Sequence, residues 1–123
     1  MKKQTKKILI IEDEKPMAQA LKLKLAHSGF EAVIASDGEK GIELFGQQSF
    51  SLILLDLVMP KLDGFNVLEI LKDKENKTPV MVLTNLGQKE DEKRAKTLGA
   101  KEFFFKSDTT IAAIVERVKE FLK

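Results

Sequence analysis

The chain has 123 residues, 43% apolar and 33% charged, and its 21 basic against 19 acidic side chains leave a net charge of +2. That length suits one domain of ~100–150 residues, the apolar share excludes a disordered chain, and the charge balance argues against nucleic-acid binding driven by bulk charge. Without a single Cys, disulfide scaffolds, thiolate zinc sites and cysteine nucleophiles are excluded, in keeping with a reducing compartment.

The chain starts with a basic segment, residues 1–6, which reads as a solubilising gatekeeper beside an apolar strand. The apolar run Ile8–Ile11 stops at Glu12-Asp13-Glu14. It falls short of the ~7–15 apolar residues of a signal peptide, and nothing later approaches the ~20 residues of a membrane span. A cytoplasmic protein with no membrane contact is expected.

Ile8–Ile11 is β-branched and predicts a buried strand. Pro16 suits the first turn of a helix that carries Met17, Ala18, Leu21 and Leu25 on one face and stops at Gly29. Leu23 falls on the opposite, exposed face. Phe30–Ala35 predicts a second strand. Ser36 or Asp37 then caps a helix that turns Ile42 and Phe45 inward. Ser51–Leu55 predicts a third strand that runs into Asp56, followed by turn chemistry over Met59–Gly64 with Asp63 as N-cap. Phe65, Leu68 and Leu71 mark the next helix. Val80–Thr84 predicts a fourth strand, and Gly87–Leu98 a helix whose apolar side is thin, with only Ala95 and Leu98. Glu102–Phe105 predicts a fifth strand. Ser107 or Asp108 caps a last helix with Ile111, Ile114, Val115, Val118 and Leu122 at the 3.6-residue period.

Five strand–helix pairs with unalternating central strands imply a parallel sheet covered by helices on both faces. Right-handed crossovers make that a doubly wound α/β sheet, one domain over residues 1–123 with no output module. Such sheets bind ligands at the carboxyl ends of their strands. Those ends carry Glu12-Asp13-Glu14, Asp56, Thr84-Asn85 and Lys106-Ser107. Clustered carboxylates repel unless a cation joins them, and an oxygen-only donor set of Glu12, Asp13 and Asp56 suits Mg2+. Lys106 and Thr84 suit an anion, with phosphate the obvious candidate. Asp56 can itself act as the nucleophile toward phosphorus.

The segments Ile10–Glu14, Leu54–Gly64, Val82–Thr84, Leu98–Ala100 and Phe103–Lys106 together strongly resemble a bacterial response-regulator receiver domain, in the family's order and over nearly the whole chain. The resemblance implies a flavodoxin-like fold with strand order 2-1-3-4-5. It implies that Asp56 accepts a phosphoryl group from a sensor histidine kinase or a phosphotransfer protein. Asp13 and Asp56 would ligate Mg2+, Glu12 would act through a metal-bound water, and the Val58 carbonyl would supply a further ligand. Thr84 and Phe103 would form the switch pair, and the face made by helix 4, strand 5 and helix 5 would signal to a downstream protein, with no direct DNA binding. The chain would catalyse only its own phosphorylation and dephosphorylation.

Three positions depart from the family pattern. Ser107 stands where Pro usually follows the Lys; a cis bond there costs ~2.5–4 kcal/mol against ~0.5–1 before Pro, so a trans bond is expected. Asn85 is larger than the usual residue after the Thr. Val58 and Leu86 flank the site with side chains that cannot orient water. Other functions fit less well. An Asp-nucleophile phosphohydrolase of the haloacid-dehalogenase kind needs an Asp at Val58. A flavin or nucleotide binder needs a Gly- or Ser/Thr-rich loop where Glu12-Asp13-Glu14 stands. A pseudo-receiver, acting as a phosphorylation-independent interaction domain, would not need the full set of site residues. His27 sits mid-helix and is assigned no function.

Overall fold

A computed structural model describes residues 5–123. Of the basic segment expected over residues 1–6, residues 1–4 lie outside the described residues. The strands are β1 (Lys7–Ile11), β2 (Glu31–Ala35), β3 (Leu52–Leu55), β4 (Val80–Thr84) and β5 (Ala100–Phe105). All are parallel, in the order β2-β1-β3-β4-β5. The helices are α1 (Lys15–His27), α2 (Gly38–Gln47), α3 (Gly64–Asp73), α4 (Lys89–Thr97) and α5 (Ile111–Phe121). This is the doubly wound sheet that the alternation implies, in the flavodoxin-like strand order that the resemblance implies.

The two-residue period of each strand divides its side chains between two cores. Leu9, Ile11, Ile53, Leu55 and Val82 pack with Leu44, Phe65, Leu68 and Ala95 of α2, α3 and α4. Ile8, Ile10, Leu52, Leu54, Met81 and Leu83 pack with Leu21, Leu25, Ile114 and Val118 of α1 and α5. Burying each of the Leu, Ile, Val, Phe and Met side chains among them stabilises by roughly 1.5–3 kcal/mol. Because both faces are covered, polarity can enter only where a strand ends. That condition puts Glu12 and Asp56 side by side at the carboxyl edge, just beyond the paired residues Ile11 and Leu55.

The caps fix where the helices start. Asp37 accepts from the Lys40 N–H at 2.8 Å and opens α2. Asp63 and Asn66 form a reciprocal capping box at the start of α3, a device worth about 0.5–2 kcal/mol. Gly29, at φ +90°, ends α1 as expected. Leu23 is 61% exposed. The Lys106–Ser107 peptide is trans.

Some local readings change. In α2 the buried face is Gly38, Gly41 and Leu44, while Ile42 and Phe45 are half-buried at its margins. Both still pack on the core, from the flanks, because Gly41 lets α2 lie against Ile11 of β1 and Gly38 lets its start lie against the Leu62 backbone. α5 is capped by Thr110, whose side chain accepts from the Ala113 N–H at 3.0 Å, and not by Ser107 or Asp108. Those two residues close a 3₁₀ turn over Lys106–Asp108, braced by the Thr109 hydroxyl donating to the Phe105 carbonyl at 2.9 Å. β5 begins at Ala100, ahead of Glu102, because Val80 pairs with Ala100 before a register shift. α4 begins at Lys89, two residues after Gly87.

One contact ties the fold to the site. A Cβ at Gly64 would lie 2.4 Å from the Asp56 carbonyl oxygen and 2.5 Å from the Leu57 Cα. Both are backbone atoms of the loop after β3, which cannot rotate aside. Gly64→Ala is therefore expected to destabilise the fold by about 1–3 kcal/mol. Urea unfolding of the two proteins measures this, and equal midpoints contradict it.

Candidate functional site

Glu12 follows β1, Asp56 follows β3 and Lys106 follows β5, so three chain segments far apart in sequence meet at one edge. The Lys106 ammonium lies 2.7 Å from Glu12 Oε1, 3.0 Å from Glu14 Oε1 and 3.2 Å from Asp56 Oδ2. It donates hydrogen bonds to Glu14 and Asp56. The other oxygens of the buried acids are held by the backbone. Glu12 Oε2 accepts from the Glu14 N–H at 3.1 Å, and Asp56 Oδ1 accepts from the Val58 N–H at 3.1 Å. Glu12 Oε1 is buried and accepts no hydrogen bond; Lys106 compensates its charge without the alignment of a donor.

The burial is uneven. Glu12 and Asp56 are each 3% exposed, whereas Asp13 and Glu14 face solvent. Burial raises the Glu12 carboxyl to about 7; the Lys106 contact opposes this rise and the Asp56 charge adds to it. Burial pulls the Lys106 ammonium the other way, but the Glu12 and Glu14 contacts and the Asp56 charge outweigh it. Lys106 is thus held above the usual lysine range and stays a cation at every physiological pH.

Carboxylate oxygens of Glu12, Asp13 and Asp56 lie within 4.8 Å of one another. All donors are hard oxygens, one buried oxygen lacks a hydrogen-bond donor, and the acids outnumber the single ammonium. These features fit a divalent cation such as Mg2+, which is bound through one or two carboxylates and keeps several waters. Beside the acids opens a cleft of about 190 Å³ lined by Asp13, Glu14, Asp56, Val58, Asn85 and Lys106. Its size suits a phosphoryl group and a hydrated ion, not a nucleotide.

The other expected residues are placed as follows. Thr84 is fully buried at the end of β4, and its hydroxyl oxygen accepts from the Leu86 N–H at 3.2 Å, which leaves the hydroxyl proton free to donate. Asn85 is exposed at the cleft wall, and Val58 is 52% exposed there. Phe103 sits away from the cleft, half-buried against the core that includes Ala95 of α4, while Phe104 packs on the opposite face. Glu14 belongs to the site although only its neighbours were assigned roles from sequence. Its signal was its place in the acidic run after β1.

Residues 8–119 match the response regulator receiver domain family. The probable transcriptional regulator ycf27 of Porphyra purpurea is 37% identical over 106 residues, covering 86% of this chain and 43% of that protein. The transcriptional regulatory protein DltR of Streptococcus agalactiae is 32% identical over 117 residues, covering 93% and 52%. The chain therefore spans about half the length, or less, of the curated relatives it matches. Among solved structures, a Francisella response-regulator receiver domain superposes with a TM-score of 0.90 at 29% identity, covering 96% of this chain and 97% of that one. A receiver domain from Clostridium thermocellum gives 0.84 at 28% identity, covering 95% and 94%. No helix among the described residues is long and apolar enough to cross a membrane.

The environment of Glu12 has a measurable consequence in metal-free protein. Its folded value near 7 lies above its unfolded value of 4.5, so the native state holds the extra proton between them. The stability this confers is full below the unfolded value and is lost as pH rises through the folded one. Glu12→Gln removes that loss. Chelator-treated Glu12→Gln should exceed the wild type in stability by on the order of 1–3 kcal/mol more at pH 8 than at pH 5. Urea titrations at both pH values test this; a gap independent of pH contradicts it.

Proposed function

The chain belongs to the response-regulator receiver family, whose domains are signalling modules that interact with histidine kinases or phosphotransfer proteins, and on that premise we propose that it is a phosphorylation switch with Asp56 as the acceptor. The observation that carries this reading is the Lys106–Asp56 contact at 3.2 Å, inside a cluster where Glu12 and Asp13 add two further carboxylates. A buried carboxylate beside a permanent ammonium, open to a cleft of phosphoryl size, is what an anionic transfer requires.

An Asp56 carboxylate oxygen attacks the donor phosphorus and forms an acyl phosphate O–P bond. The N–P bond of a donor phosphohistidine breaks, and the imidazole keeps the electron pair and takes a proton from solvent. Lys106 pairs with the phosphoryl oxygens, and the Thr84 hydroxyl donates to them. Mg2+, held by Asp13, Asp56 and the Val58 carbonyl and through a water by Glu12, would neutralise charge on the transferred group. Asn85, at the cleft wall, either narrows access or donates to the same oxygens.

The signal then leaves through side-chain rearrangement. Thr84 moves toward the phosphoryl group, Phe103 turns inward behind it, and the face made by α4, β5 and α5 presents a changed surface to a downstream partner. The thin attachment of α4, with Ala95 as its buried side chain, supports a movable face.

Incubation with a small phosphodonor, followed by mass spectrometry, should show one added phosphoryl group only when Mg2+ is present, and none in Asp56→Asn. No gain under any condition favours the phosphorylation-independent interaction domain. The phosphorylated protein should persist for minutes or longer, because neither Val58 nor Leu86 can orient an attacking water. A lifetime of seconds contradicts this part of the reading.

A further inference from the structure

Glu14 is the N-cap residue of α1, yet its side chain makes no capping hydrogen bond. Acidic and hydroxyl side chains at that position usually accept from the first turn. Here the carboxylate is directed instead to Lys106, 92 positions away in sequence, and accepts from its ammonium at 3.0 Å. The ammonium has three protons and meets three carboxylates: Glu12, Glu14 and Asp56. Two of those are buried, backbone-held and unable to leave. Glu14 is the third, and its side chain is 56% exposed at the cleft wall. It alone can swing into water without losing its hydration.

A phosphoryl group arriving on Asp56 needs a Lys106 proton on the cleft side, and both hydrogen bonds that the ammonium donates go to carboxylates lining the cleft, Glu14 and Asp56, while the buried Glu12 lies outside that lining as a charge partner. We propose that Glu14 is a displaceable guard on Lys106: its carboxylate occupies the proton that an incoming phosphoryl oxygen must take, and so it sets how readily phosphoryl donors are accepted. The proposal rests on the receiver reading above. Glu14 is a positioning residue, since it acts on the acceptor through Lys106. Removing it frees an ammonium proton and takes one negative charge from the mouth of a cleft that must admit an anion.

The experiment measures phosphorylation by a small acyl phosphate at saturating Mg2+, as a function of donor concentration. Glu14→Gln removes the charge. Glu14→Asp keeps the charge but shortens the reach. Glu75→Gln removes an equal charge from an exposed loop residue at the far end of the sheet. Both Glu14 variants should lower the half-saturating donor concentration about three- to five-fold, the range that an exposed ion pair supports. Their maximal rates should stay within about two-fold of wild type, and Glu75→Gln should match wild type. In metal-free protein, the Lys106 side-chain ammonium signal in 15N NMR should shift or exchange faster in both Glu14 variants. If Glu14→Asp behaves as wild type while both Gln variants accelerate, bulk charge is responsible and the guard is overturned. It is equally overturned if wild type is phosphorylated and no variant differs. If wild type takes up no phosphoryl group, the receiver reading itself fails, and the guard fails with it.

Discussion

The structure depends on one ammonium among like charges. Glu12, Asp13, Glu14 and Asp56 crowd the carboxyl edge of the sheet, and Lys106 is the cation within 4 Å of three of them. Two buried carboxylates without such a partner would repel each other at close range in a medium of low polarity. Glu12 is pushed up to about 7 chiefly by burial and further by the Asp56 charge, against the opposing Lys106 contact. A site left short of positive charge is prepared for a cation. The same incompleteness serves both the metal fit and the proposed chemistry, since each brings positive charge or uses an ammonium already in place.

That crowding is possible only because the hydrophobic framework enforces it. β1 and β3 are buried on both faces and paired in register from Ile8–Leu52 to Ile11–Leu55. A one-residue slip would send every core side chain to the wrong face, so the register is stiff and the strand ends are fixed relative to each other. Gly64 then lets α3 approach the loop after β3 closely enough to hold the Asp56 backbone. The unfavourable electrostatics at the edge are thus balanced by two apolar cores.

Much of this was legible in the sequence, because strand cores and strand ends are written in different alphabets. Runs such as Leu52–Leu55 can only be buried, and the first polar residue after each run marks the edge. Asp56 and Lys106 were found that way, and the structure brings them into contact. Where reading failed, the cause was geometry that residue type does not encode. In α2, Ile42 and Phe45 do pack on the core but stay half-buried, because Gly41 brings the helix against Ile11 of β1 and Gly38 brings its start against the Leu62 backbone. At the start of α5, Ser107 and Asp108 have the chemistry of caps, but the 3₁₀ turn that carries Lys106 uses that stretch of backbone. Glu14 stood in the acidic run after β1 but was given no role of its own. Its reach to Lys106 depends on a contact across 92 positions that no local pattern reports.

The same contrast bears on how a change at the edge could travel. α4 is joined to the core through Ala95 and the half-buried Leu98, with no large side chain fully buried. Its other attachments lie on the rim. Arg94 stacks over the Phe65 ring at 4.1 Å and pairs with Glu69 at 3.6 Å, and Lys72 reaches the Thr97 carbonyl at 3.4 Å. Contacts of this kind contribute about 0.2–1 kcal/mol each, well below what a buried Leu contributes in α1 or α3. Phe103 packs into the core that α4 covers, two residues before Phe105, the register partner of Thr84. A displacement of Thr84 of the kind proposed would therefore be felt first where the structure resists least. The rigid centre of the sheet has no such freedom, so the direction of any response is set by the unequal packing of the helices.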